Sequence, residues 1–374
     1  MHTKNHPLAG SSLGQQHQLT SFHYGPTDSG RKAYIQASLH ADELPGMLVA
    51  HHLRQQLQQL EKADRLRAEI VIVPVANPIG LAQTLLRTPV GRFDLASGEN
   101  FNRHYPALFE PLLPRLEGRL TDDAQANVQT IRGAMREHLQ ALPAPTELAS
   151  LRRALMTLAC DADVVLDLHC DCEAVLHLYT GTPLWPAVEP LARLLGAQAS
   201  LLATASGDNP FDEACSQTWW QLQSHFEGRY PVPLACTSVT VELRGSLDVE
   251  QGQAAVDARA LLAYLQHCGL LDQDGQDLAL PPLLQPATAL NAVEVLSSPI
   301  SGVVSYHRQP GDAIAVGDCL ADVTDALSGE VRQLRARTSG LLFARETLRY
   351  ATAGRSLCKV AGQTPLRSGK LSSD

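Results

Sequence analysis

His40 and Glu43, two residues apart in Ser38-Leu39-His40-Ala41-Asp42-Glu43, are metal-capable side chains placed where an apolar, strand-like run from Ala33 to Ala37 hands over to a helix opening at Pro45. Catalytic zinc takes three protein ligands and keeps a fourth position open, and two histidines with a glutamate are one of its known sets. A candidate third ligand ends a second buried-strand pattern, residues 163–168, which delivers Asp167-Leu168-His169-Cys170-Asp171. A further β-branched run, Thr237 to Leu243, carries Glu242 near its exit. A carboxylate at the end of a buried strand has no inexpensive structural explanation, because burying it unpaired is costly. Between these elements, residues 79–106 lose their periodicity and concentrate Arg87, Arg92, Asn102 and Arg103, groups suited to holding anions on a loop. The three arginines suit acidic substrates.

Such residues need a rigid frame. Lys32 to Ser38 reads as a strand, and Gly46 to Leu60 as a helix with Met47, Leu48, Ala50, Leu53, Leu57 and Leu60 at helical spacing. Glu69 to Val75 is nearly continuous in β-branched residues, as expected of a strand covered on both faces. The span 107–158 reads as a helical insertion, with amphipathic stretches at Asp123 to Leu139 and Glu147 to Leu158 broken at Pro143 and Pro145. Ala174 to Tyr179 follows as a strand, Ala187 to Leu195 as a helix, and Ala254 to Leu265 as a helix closed by Gly269. Gln18 to Pro26 reads as an edge strand. The expected class is α/β, a mixed sheet flanked by helices over residues 1–270. Residues 271–290, rich in Asp, Gln and Pro, read as a linker. Residues 291–362 carry short β-like runs between turns such as Pro310-Gly311-Asp312, a small all-β barrel or sandwich. Residues 363–374 read as a flexible tail.

The chain has 374 residues, 44% hydrophobic and 18% charged, enough for one full core and a second module. A net charge of -9 argues against nucleic acid and anionic membranes as partners and favours a small molecule. No apolar run reaches the roughly 18 residues of a membrane span, and the polar start resembles no secretion signal, so the cytoplasm is the expected location. Eight cysteines without a repeated CxxC spacing read as reduced thiols, with Cys170 and Cys172 packing in the wall beside His169. Asp167 projects with His169 if the alternation continues and can orient its imidazole. Trp219 and Trp220 read as core. A homo-oligomer is possible.

With Leu39-His40-Ala41-Asp42-Glu43, Asn100-Phe101-Asn102-Arg103, Asp167-Leu168-His169 and Thr240-Val241-Glu242-Leu243 in this order, the chain resembles the succinylglutamate desuccinylase and aspartoacylase family, relatives of the zinc carboxypeptidases. A lone HxxE recurs by chance; four motifs in order at strand ends are a far more specific signal. The resemblance implies that His40, Glu43 and His169 bind one zinc ion per chain, that Glu242 is the general base, and that Asn102 with Arg103 holds a substrate carboxylate. It also implies an upstream arginine that polarises the scissile carbonyl, assigned to Arg92 with Arg87 in reserve. The implied activity is zinc-dependent cleavage of the amide bond of an N-acyl amino acid or related small carboxylate. A metallocarboxypeptidase on short peptides and a non-catalytic ligand-binding relative are the alternatives. The C-terminal part resembles biotinyl and lipoyl carrier barrels through Ser298 to Val304 and Pro310 to Asp318. No lysine lies between Lys62 and Lys359, so neither biotin nor lipoate is expected. By analogy with the family, the barrel borders the mouth of the site.

Overall fold

The structure is a computed structural model that describes residues 1–272 and 279–371. Nine strands form the main sheet: β1 (His2–Pro7), β2 (Gln18–Tyr24), β3 (Lys32–Ala37), β4 (Glu69–Val73), β5 (Val164–Asp171), β6 (His177–Gly181), β7 (Ala199–Ala203), β8 (Thr237–Gly245) and β9 (Thr288–Ala289). Their order across the sheet is β1-β2-β4-β3-β5-β8-β6-β7-β9. The central strands β4, β3, β5 and β8 run parallel, so their carboxyl ends lie side by side. β6 is antiparallel to β8, and β1 and β2 form an antiparallel edge, which makes the sheet mixed.

Parallel strands need cover on both faces, and the alternation along each strand supplies it. Ala33, Ile35, Ile70, Ile72, Val164 and Leu166 turn to one face, where they meet Leu53 and Leu57 of α1 (Pro45–Lys62). Tyr34, Val71, Val73 and Val165 turn to the other, packed with Leu112 of α2 (Phe109–Leu116), Ile131 of α3 (Ala124–Ala141) and Leu151 of α4 (Glu147–Ala159). The first face is completed by Leu191 of α5 (Trp185–Leu195) and Leu261 of α7 (Gln251–His267), and the second by Trp219 of α6 (Phe211–His225). This is the expected α/β class. Gly46 lets α1 lie close on β5: a Cβ there would stand 3.0 Å from the Leu168 carbonyl oxygen.

Two segments at the ends differ from the expectation. Residues 2–7, polar and largely exposed, form the edge strand, so Gln18–Tyr24 lies one place inside it. Of the segment read as a linker, Thr288–Ala289 pairs with β7 and extends the main sheet, while residues 273–278 lie outside the described residues. The C-terminal region holds a sheet with Val293–Ser297, Ser356–Ala361, Gly340–Arg345 and Ala313–Ile314 against one with Val331–Arg335, Cys319–Thr324, Gly302–Tyr306 and Tyr350–Ala351. Leu296, Leu320, Val323, Leu342 and Val360 fill the space between. Ala344 and Arg345 pair with Ala174 and Glu173, and Phe343 packs with Val175, Leu201 and Leu290, joining this region to the main sheet. Of the segment read as a tail, residues 366–371 are held: Leu366 N donates to Asn291 O at 2.8 Å, and Leu371 N to Ser206 O at 2.8 Å. Residues 372–374 lie outside the described residues. No helix of the described residues is long and apolar enough to cross a membrane.

Candidate active site

Carboxyl ends of parallel strands are where an open α/β sheet places its ligands, and β3, β5 and β8 deliver the candidate residues there. After β3 the chain turns sharply at Ser38, whose φ of 63° is in the left-handed region. The turn swings His40 back over the sheet, and Gly91 seals it: Ala41 N donates to Gly91 O at 3.0 Å, and a Cβ on Gly91 would meet Asp42 N at 2.5 Å. Glu242 and His169 are register partners on β8 and β5, which sets their side chains beside each other.

His40, Glu43 and His169 are buried, and their ligand-capable atoms all lie within 4.8 Å of one another. The Glu43 carboxylate lies between the rings, with Oε1 2.8 Å from His40 Nδ1 and Oε2 2.8 Å from His169 Nδ1. The proton on His40 can be located from its partners. Asn100 Oδ1 accepts the backbone N–H of Asn102 at 2.8 Å, so it is the amide oxygen, and His40 Nε2 at 2.9 Å must donate to it. Burial, with Arg92 alongside, pushes His40 down to about 4, so the ring is neutral and Nδ1 is bare. A bare nitrogen and a carboxylate oxygen facing each other at 2.8 Å are two acceptors, an arrangement a cation between them relieves. Arg92 already leans in, with Nη1 3.2 Å from His40 Nδ1 and 3.3 Å from Glu43 Oε1. His169 meets a carboxylate on each side. Its Nε2 stands 3.0 Å from Asp167 Oδ2, off the hydrogen-bond line, and neither atom has another partner. Burial alone would lower His169; Asp167 and Glu43 outweigh it and hold the ring well above its usual range. Burial would raise Glu43, yet the two imidazoles hold it well below the carboxylate range. Two nitrogens and a carboxylate, buried and oriented from behind by an amide and a carboxylate, can hold a metal ion.

Glu242 lines the same cleft, and its Oε2 has no hydrogen-bond partner. Burial first, then the negative Glu43, push it up to about 8. A divalent cation on the neighbouring ligands opposes both effects. Arg103 and Asn102 also line the cleft, and both are buried. Asn102 Oδ1 accepts from Phe211 N at 2.9 Å, tying the Asn-Arg run to the start of α6, and Arg103 Nη1 donates to Asn102 O at 2.7 Å. Arg87 is not brought into the cleft. It sits exposed, at φ 72°, on the turn of the hairpin formed by Thr84–Leu85 and Thr88–Pro89.

The cleft, about 290 Å³, is lined and supported by further residues that the motifs do not mark out. Asn100 orients His40. Arg152 of α4 donates to Glu99 Oε2 at 2.8 Å and to Asn100 O at 3.1 Å, so the helical insertion braces the loop that holds the cluster. Lys359, from the C-terminal region, reaches Asp171 Oδ2 at 2.5 Å and lines the cleft with Tyr179 and Glu242. Asp212 and Glu213 of α6 line it next to Arg103. Cys170 and Trp219 are buried, Cys170 at the cleft wall and Trp219 in the core.

A buried two-histidine, one-glutamate cluster at the carboxyl ends of an α/β sheet, facing a small cleft with arginines and an unpaired carboxylate, defines a hydrolase-type site. The chain belongs to the succinylglutamate desuccinylase/aspartoacylase family: the model of that catalytic domain matches residues 29–268. Proteins of this family are hydrolases acting on amides. The structure is similar to that of a succinylglutamate desuccinylase/aspartoacylase family protein from Shewanella amazonensis SB2B, at 25% identity and a TM-score of 0.83 over 96% of this chain and 98% of that one. A protein from Shewanella frigidimarina NCIMB 400, described in the same terms, is 23% identical with a TM-score of 0.83, over 96% and 97%. The fold is shared with the product-bound ectoine utilization protein EutE (DoeB) from Ruegeria pomeroyi, at 17% identity and a TM-score of 0.66 over 96% and 94%. No curated protein matches the chain.

Proposed function

We propose that the protein is a zinc-dependent amidohydrolase that removes the acyl group from an N-acyl amino acid or related small carboxylate. The observation that carries this reading is the carboxylate of Glu43 set 2.8 Å from two histidine nitrogens, one of which its amide partner leaves bare, in one cleft with Glu242 and Arg103. His40, Glu43 and His169 would hold the zinc. When bound, zinc supplies a Lewis acid for the amide carbonyl and can lower the pKa of water from about 15.7 to about 7.

The rest falls to the chain's own side chains. Glu242 takes a proton from the attacking water and passes it to the departing nitrogen, which needs the second proton to leave as an amine. Arg92, within hydrogen-bond reach of the ligand atoms, donates to the oxygen of the scissile carbonyl as negative charge builds on it. Arg103 pairs its planar fork with the substrate carboxylate, and Asn102 sets its position through the backbone. In this reading residues 1–270 are the catalytic unit, and the β region of 291–362 walls the cleft through Val293, Phe343 and Lys359. A cleft of about 290 Å³, with Arg367 and Leu371 also on its lining, favours small acyl amino acids over peptides.

Glu242→Gln tests the reading. The variant keeps the side-chain volume and loses the base, so it should retain stoichiometric zinc while amide hydrolysis falls by about 10² to 10⁴. Near wild-type turnover would remove Glu242 from this role, and hydrolysis confined to peptides would replace the deacylase with a carboxypeptidase.

A further inference from the structure

In the C-terminal region, strand Cys319–Thr324 breaks the in-and-out alternation of a regular strand: Leu320, Ala321 and Val323 all lie in the core. The register against Val331–Arg335 shows how. Ala321 faces Leu334 and Asp322 faces Gln333, but Cys319 faces Arg335, so Leu320 is an extra residue, a β-bulge. Without the bulge Cys319, two residues before Ala321, would point into the core, where a free cysteine ordinarily packs. With it, Cys319 turns to the outer face beside Asp322. His307 reaches the same face from the neighbouring strand. It follows Tyr306, the register partner of Ala321, and its backbone N–H donates to Leu320 O at 2.8 Å.

An imidazole, a thiol and a carboxylate thus meet outside the core. Asp322 lies between the other two, with Oδ2 3.0 Å from His307 Nε2 and Oδ1 3.8 Å from Cys319 Sγ. The ligand-capable atoms all lie within 4.8 Å of one another. A surface ion pair accounts for His307 and Asp322, but not for a bulge that brings a thiol out of the core to join them. Arg335, opposite Cys319, is turned to other partners, donating to Gly317 O at 2.6 Å and to Gln333 Oε1 at 2.5 Å. Burial first, then Asp322, hold the Cys319 thiol above its usual range, so the proton stays on sulfur until a metal ion displaces it. The donor set selects that ion. Thiolate and imidazole suit zinc and its transition-metal neighbours, whereas calcium and magnesium take oxygen. His2, His23 and Glu69 also come within ligand range, but their two rings are stacked at an interplanar angle of 13°. Nitrogen lone pairs lie in the ring planes, so stacked rings do not converge on one ion.

We propose that His307, Cys319 and Asp322 form a second, solvent-facing zinc site on the C-terminal β region. Three protein ligands leave a fourth position to water. On this open face the ion exchanges and is stripped by desalting, while the buried cluster keeps its own. The site is independent of the amidohydrolase reading, since none of its residues lines the cleft.

The test takes the full-length protein, loaded with zinc and desalted so that the buried cluster is filled, and titrates it with cobalt(II). We expect a thiolate-to-cobalt charge-transfer band in the near ultraviolet that saturates at about one cobalt per chain and is abolished by added zinc. Cys319→Ser should remove the band. His307→Ala and Asp322→Asn should each weaken cobalt binding by at least about tenfold, the lower bound for losing even an outer partner of a metal ligand. A wild-type protein without the band overturns the proposal whatever the variants do, so the test does not depend on their folding. A band that survives Cys319→Ser assigns the sulfur to another cysteine, such as Cys170 beside the buried cluster, and overturns it as well. If the buried cluster takes up no metal, the Cys319-dependent band still reads the outer site, so the two readings fail separately.

Discussion

Asp167→Asn should weaken zinc binding without touching a ligand. Asp167 is fully buried at the end of a chain of donors: Tyr34 Oη donates to Gln36 Oε1 at 2.8 Å, Gln36 Nε2 donates to Asp167 Oδ1 at 2.9 Å, and His169 Nε2 stands 3.0 Å from Asp167 Oδ2. The chain has a direction. Gln36 needs an acceptor at Oδ1, so an asparagine would keep its oxygen there and turn its NH2 toward His169 Nε2. Two donors then face each other, and His169 is driven to carry its proton on Nδ1, the nitrogen 2.8 Å from Glu43. That proton occupies the ligand position. Loss of such an orienting carboxylate typically costs 10- to 100-fold in metal affinity, about 1.4 to 2.7 kcal/mol. Competition with a chromophoric chelator near neutral pH reads the affinity, and circular dichroism checks that the variant is folded. A folded Asp167→Asn protein whose zinc affinity stays within about twofold of wild type would refute the tautomer argument.

Other substitutions separate the assigned arginine from its reserve. Arg92→Ala should lower kcat by about 10² to 10³, as for one lost oxyanion donor; Arg87→Ala, at an exposed hairpin turn, should leave kcat/KM unchanged, and steady-state kinetics on one N-acyl amino acid compares them. Lys359→Met should destabilise the protein by roughly 3 kcal/mol, the low end for breaking a buried ion pair, read from denaturant unfolding. The pair also makes a pH prediction. Burial would raise Asp171, but Lys359 and His177 outweigh it and hold it at about 2, below its ordinary 3.8, so its stabilising share is full above the unfolded pKa and drains away as pH falls through the folded one. The melting temperature of the wild type should therefore drop between about pH 4 and pH 2 more steeply than that of Lys359→Met; parallel slopes would contradict the pairing.

The grouping of His40, Glu43 and His169 was legible because its parts are local. His40 and Glu43 share one turn, and His169 and Glu242 each end a β-branched run whose burial follows from composition. The α/β class was legible for the same reason, since period-2 and period-3.6 patterns need no knowledge of partners. What stayed hidden depends on distant pairing. β1 is polar on both faces and becomes a strand only because β2 offers it an edge. Lys359 looked like no more than the first lysine after a long gap, and its role rests on Asp171, 188 positions away. Asn100 stood inside a quoted motif, but its amide reaches His40 from 60 positions away in the chain. Spacing put Arg92 ahead of Arg87 but could not show why, since it is a hairpin turn that sends the second one away from the cleft. Asp212 and Glu213 resembled the acidic start of any helix until their burial was known.

The most direct measurement is metal content of the purified protein paired with amide hydrolysis, before and after chelation, across N-acyl amino acids and short peptides. The account predicts about one zinc per chain, hydrolysis of an N-acyl amino acid that stops on chelation, and recovery when zinc alone is returned. A folded protein that takes up no zinc, or that hydrolyses the same amides unchanged after its metal has been removed, would contradict it.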